Sequence, residues 1–145
     1  MLVIQSDLAF PADIDEDALQ QLARAVLAGE GVRGDVEIGL LLTDDDGIRA
    51  INREYRNVDA ATDVLSFSLA PDEATTFVTP PGEPVQLGDI VISYERSVAQ
   101  AQERGHSVRQ EISELFVHGL LHILGYDHET ASDAEAMARA ADTYI

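Results

Sequence analysis

The sequence predicts a sheet with helices packed on it. Two observations carry that reading. Short β-rich runs alternate along the chain with longer segments whose apolar residues recur at helical spacing, and that interleaving is the pattern of helices laid on a sheet. At 145 residues the chain has one domain's length, residues 1–145, with neither internal repeat nor boundary. A chain of this size buries roughly two thirds of its unfolded surface, enough for a core without cross-links.

The elements follow in order. LVIQSDL, residues 2–8, reads as a short strand. Residues 15–28 place Leu19, Leu22, Val26 and Leu27 on one helical face, with Asp15, Glu16 and Asp17 at the start, where acid suits the helix dipole; Gly29 and Gly31 stop this helix. VEIGLLLT, 36–43, is apolar enough for a buried strand. Thr43 and three aspartates open a second helix through Ile48, Ile51 and Tyr55. VLSFSL, 64–69, and LGDIVIS, 87–93, supply the third and fourth strands. Between these two lies PDEATTFVTPPGEPVQ, residues 71–86, a loop long enough to be either a binding loop or merely mobile. A helix through Val98 ends near Gly105, Ser107 with Gln110 caps the next, and Ser132 with Glu135 caps the last.

Composition narrows the function classes. Cysteine is absent, which excludes disulfides and thiolate metal sites and fits a reducing, cytoplasmic setting. MLVIQSDLAF lacks the basic leader of a signal peptide, and no apolar run approaches the roughly eighteen residues of a membrane span. The net charge is −18, from 27 acidic and 9 basic side chains, and all nine basic residues are Arg. Such a surface repels nucleic acid at long range, so the positions of the few arginines matter.

Three of the four histidines fall in HGLLHILGYDH, residues 118–128. The helix from Ser107 buries Ile112, Leu115, Phe116, Leu120 and Ile123 as one stripe, and His118 and His122, four apart, point the same way at its edge. Gly125 is placed to take the left-handed conformation that ends a helix, so the chain can turn back and bring His128 to the pair. Three imidazoles with a fourth position open to water suit a catalytic zinc ion, and also nickel, copper or iron. The same spacing occurs in metzincin proteases, which carry Glu directly after the first histidine; here that residue is Gly119, which cannot move a proton. A mid-helix glycine instead leaves room for a close approach, by a neighbour or by a substrate. His106, just before the Ser107 cap, reads as a surface residue.

Arg49, Arg53 and Arg56 recur at four and three residues and form a basic stripe on the second helix. The arginine fork matches phosphate oxygens, yet an ordinary exposed face paired with nearby acids fits the spacing equally. Asp127 either hydrogen-bonds a ligand imidazole or caps its turn, and Asp89 lies either near the site or merely at a turn before its strand.

These residues together resemble the YbeY family of metal-dependent endoribonucleases. Three motifs carry the resemblance: Asn52, Tyr55 and Arg56 with Thr62 to Phe67; Leu87 to Ser93; and His118 to His128. Ala61 stands where the family has proline. The resemblance implies an α+β fold with a mixed four-stranded sheet and a metal site at the end of a core helix. It implies that His118, His122 and His128 bind one Zn2+, that Arg56 and His118 are catalytic, and that Arg49, Arg53 and Arg56 form the substrate-binding set. The activity implied is cleavage of single-stranded RNA in ribosomal RNA processing, 16S rRNA 3′ end maturation and ribosome quality control. The implied partners are ribosomal RNA, small-subunit components and assembly factors. No residue stands out as general base. The rival readings are a non-catalytic ribosome-assembly factor whose zinc only stabilises the fold, and a metalloprotease.

Overall fold

The computed structural model describes residues 2–6, 14–69, 85–126 and 130–145. Four strands, β1 (Leu2–Ser6), β2 (Val36–Thr43), β3 (Val64–Ser68) and β4 (Val85–Ser93), form one sheet in the order β1-β2-β4-β3. β1 and β4 run parallel to β2, and β3 runs antiparallel to β4, so the sheet is mixed as expected. β3 is thereby an edge strand. Five helices accompany the sheet: α1 (Glu16–Gly29), α2 (Asp45–Arg56), α3 (Tyr94–Arg104), α4 (Val108–Ile123) and α5 (Ala131–Tyr144).

Strand alternation sorts the two faces. Ile38, Leu40, Leu42, Ile90 and Ile92 turn to one side and join α1 and α4 in the main core. Ile112, Phe116, Val117, Leu120 and Leu121 of α4 are all buried there, which makes α4 the central helix. Leu65 and Val91 belong to a second, smaller cluster with Ile48 of α2, on the other face.

The caps hold where local chemistry decides them. Asp15 accepts a hydrogen bond from Ala18 N, and Ser107 accepts one from Gln110 N. Of the residues expected to open α2, Thr43 and the three aspartates, Asp44 is the cap, and its carboxylate accepts from Gly47 N at 2.7 Å. α5 begins two residues earlier than expected: Thr130, not Ser132, is the cap, accepting from Asp133 N at 3.1 Å. Of the loop expected over 71–86, Val85 and Gln86 belong to β4 and the remainder lies outside the described residues. Ile48, Ile51 and Tyr55 share one stripe of α2 as the helical spacing predicts, with Ile48 fully buried and Tyr55 67% exposed. Among the described residues no helix is long and apolar enough to cross a membrane.

Candidate functional site

α4 presents His118 and His122 on one side, as a four-residue spacing dictates. Their ring centroids lie 5.3 Å apart with planes at 70°. The helix ends just beyond them in a Schellman motif: Gly125 N bonds His122 O at 3.1 Å and Tyr126 N bonds Leu121 O at 3.0 Å. Gly125 has φ +110°, a conformation that favours glycine. Tyr126 is anchored by Glu30 at the end of α1, which also accepts the Tyr144 hydroxyl at 2.7 Å. That carboxylate holds both phenols above their ordinary range, Tyr144 at about 12. Asp127 and His128 lie outside the described residues.

The two imidazoles line a cavity of about 410 Å³, walled by α4 on one side and by Asp63 and β3 on the other. Gly119 also lines it. A Cβ there would stand 3.0 Å from Ile90 Cγ2, so the close approach that glycine permits is that of β4, a neighbour in the fold.

Arg56 reaches this cavity from the last turn of α2. Its Nη2 donates to Ser66 O at 2.6 Å, and its guanidinium carbon lies 5.2 Å from the centroid of the Phe67 ring. The bond and the ring together fix the orientation of the fork. Asn52, buried on the same helix, donates to Ala60 O at 2.9 Å and so pins the loop that leads to Asp63. Sequence reasoning gave Asp63 no role. Its Oδ1 accepts Val64 N at 2.8 Å, its backbone O accepts Ser93 N, and its position in the T-D-V-L-S-F motif was the available signal.

The arginine stripe divides. Arg49 donates to both carboxylate oxygens of Asp59, at 2.8 and 3.2 Å, and that hydrogen bond holds the Asp59 carboxyl below the ordinary carboxylate range. Arg53 is exposed. Neither lines the cavity as Arg56 does. Asp89 is on the other side of the sheet, in a groove of about 740 Å³ beside α2, and its side chain fills the space that Gly39 leaves open. It is therefore apart from the histidines.

His106 departs from its surface reading. Its side chain is 18% exposed, and its Nε2 lies 2.5 Å from Oε2 of the fully buried Glu111. With Glu114 these residues offer three ligand atoms within 4.8 Å of one another, a group that can hold a metal ion. Arg104 already places a cation there, with Nη1 3.5 Å from Glu111 and 3.6 Å from Glu114.

The protein is thus of the α+β class, with an imidazole-lined cavity between its central helix and its edge strand and an arginine at the rim. Comparison with known proteins makes the assignment specific. The sequence profile of the Endoribonuclease YbeY family matches residues 4–145. The chain is 50% identical over 136 residues to Endoribonuclease YbeY of Roseiflexus sp. (strain RS-1), covering 94% of this chain and 84% of the relative. It is 50% identical over 122 residues to Endoribonuclease YbeY of Moorella thermoacetica, covering 82% and 77%. A solution structure of a Thermotoga maritima protein superposes with a TM-score of 0.67 at 26% identity, covering 99% of this chain and 86% of that one. The chain belongs to the YbeY family.

Proposed function

We propose that this protein is a zinc-dependent endoribonuclease that cuts single-stranded RNA during ribosomal RNA processing. The observation that carries the reading is one cavity lined by His118, His122 and Arg56 together. Two imidazoles at this separation, followed by a third histidine in the same motif, form a donor set suited to Zn2+. We read His118, His122 and His128 as the ligands of one ion. A zinc ion supplies Lewis acidity, which offsets negative charge on a phosphodiester and makes water nucleophilic near neutral pH.

The chain's own residues do the rest. Arg56, held by Ser66 O and the Phe67 ring, presents a fixed cation where charge grows on the phosphoryl oxygens. The Nη2 bond to Ser66 O uses one of the five N–H donors a guanidinium carries. Arg53 offers a second charge to the RNA backbone at the surface. Arg49, paired with Asp59, contributes to the stripe less than Arg53 does. Residues 1–145 act as one domain in this reading, the setting is cytoplasmic, and the wider partners are components of the small ribosomal subunit and its assembly factors. The absence of Glu after His118 weighs against a protease.

The test is incubation of the purified protein with single-stranded and duplex RNA, with and without chelator. Metal-dependent cutting of the single strand is expected. RNA left intact under all conditions would favour the non-catalytic assembly factor.

A further inference from the structure

We propose that Tyr55 is a stacking platform for an unpaired nucleobase, beside the Arg56 that holds the neighbouring phosphate; the proposal rests on the ribonuclease reading above. α2 carries an apolar stripe of Ile48, Ile51 and Tyr55, spaced at three and four residues. Ile48 is fully buried against Leu65 and Val91. Tyr55, one turn beyond Ile51 on the same stripe, is 67% exposed. A large ring on the core-facing stripe of a helix is thus left in solvent at the lip of the sheet.

That ring has a defined orientation. It meets Phe67 of the edge strand β3 in an edge-to-face contact, with centroids 5.7 Å apart and planes at 63°. Phe67 also carries the Arg56 guanidinium at 5.2 Å. Tyr55, Phe67 and Arg56 are therefore one cluster. Arg56 lines the histidine cavity, while Tyr55 and Phe67 line the groove on the other side of β3. The charged lining residues of that groove are acidic, Glu37, Glu54 and Asp89. A strand crossing this edge is driven to keep its phosphates on the Arg56 side, which leaves its base to the Tyr55 side.

Energetics point the same way. The chain carries −18 overall, and Arg49 is already paired with Asp59. Charge alone gives this surface little hold on a polyanion. Stacking does not depend on net charge and every base has a face to offer, so it supplies affinity where electrostatics cannot.

The test uses full-length protein stripped of metal with chelator, so that no strand is cut. Its affinity is measured for oligoadenylate and for an abasic ribose-phosphate strand of the same length and charge. The parent is expected to favour the base-bearing strand. Tyr55→Ala should weaken that strand's binding by roughly 5- to 150-fold, the loss of one stacked base, and leave the abasic strand's binding unchanged. Tyr55→Phe should bind both strands as the parent does. A parent that binds both strands equally, or a Tyr55→Ala variant that keeps the preference, overturns the platform alone. A parent that binds neither strand overturns the platform, and if that protein with its metal restored also leaves RNA intact, the ribonuclease reading falls with it.

Discussion

The imidazoles of His118 and His122 stand 5.3 Å apart on consecutive turns of α4, their planes at 70°. The chain turns back three residues later at Gly125. A second group suited to cations, His106 with Glu111 and Glu114, lies at the start of the same helix and already holds Arg104. The two make opposite predictions. His122→Ala should remove most bound zinc, because two protein ligands hold the ion poorly. His106→Ala should keep its zinc and lose about 1–3 kcal/mol of stability, since it leaves the buried Glu111 short of a partner. Elemental analysis and denaturant midpoints on both variants check this. Zinc that leaves with His106 and stays without His122 would falsify the assignment.

Arg56→Ala should keep fold and zinc and cut RNA about 10²–10³-fold more slowly, as expected for loss of one donor aimed at developing charge. Arg56→Lys should recover little of the rate, because an ammonium does not reproduce the planar fork that bonds Ser66 O while lying over Phe67. Single-turnover cleavage rates on zinc-loaded variants decide it. A parent-like rate in Arg56→Ala would remove this residue from the mechanism.

RNA affinity should depend only weakly on salt. Each phosphate neutralised on a single strand contributes a slope of roughly −0.7 in log affinity against log salt. Arg53→Glu should flatten the slope by about one such step, whereas Arg49→Ala should leave it nearly unchanged because Asp59 already holds that side chain. Salt titrations of the two variants separate a working stripe from an ordinary helix face. Equal slopes in the parent and Arg53→Glu would mean the RNA lies elsewhere.

The Glu30 anchor predicts an alkaline transition. Tyr144 is raised to about 12, by its hydrogen bond to Glu30 first and by burial second. An unfolded tyrosine titrates near ~10. A raised pKa favours the protonated folded state, so this contribution is complete below ~10 and fades as pH rises through about 12. Tyr126, raised by the same carboxylate, acts in the same direction. Stability measured against pH should fall across that window in the parent and fall less in Glu30→Gln. Ultraviolet titration of the phenols should show both returning towards their ordinary range in that variant; late titration persisting without the carboxylate would contradict the anchor.

Much of this was legible in the sequence, for identifiable reasons. Among the described residues, β-rich apolar runs, helical spacing and cap signals placed the four strands and five helices, and the Asp15 and Ser107 caps follow from local chemistry. The start of α5 did not, because Thr130 with Asp133 and Ser132 with Glu135 are overlapping cap signals and no local rule chooses between them. The exposure of Tyr55 was hidden because helical spacing says which face a residue takes, not where the sheet beneath it ends. The Arg49–Asp59 pair depends on how a loop folds back across ten residues. The placement of Asp89 away from the histidines is consistent with strand alternation against Ile90 and Ile92, once those two are known to face α4. His118, His122 and Arg56 were each singled out in advance. That β3 and α4 enclose them in one cavity needed the fold.

The central claim is that zinc held by the histidine motif enables this chain to cut RNA. The most direct test is a zinc titration into metal-stripped protein with a single-stranded RNA substrate, following cleavage at each step. The account predicts no cutting before zinc is added and a linear rise that saturates at one ion per chain. Cutting that survives complete removal of metal, or RNA that stays intact when one zinc per chain is bound, would contradict it.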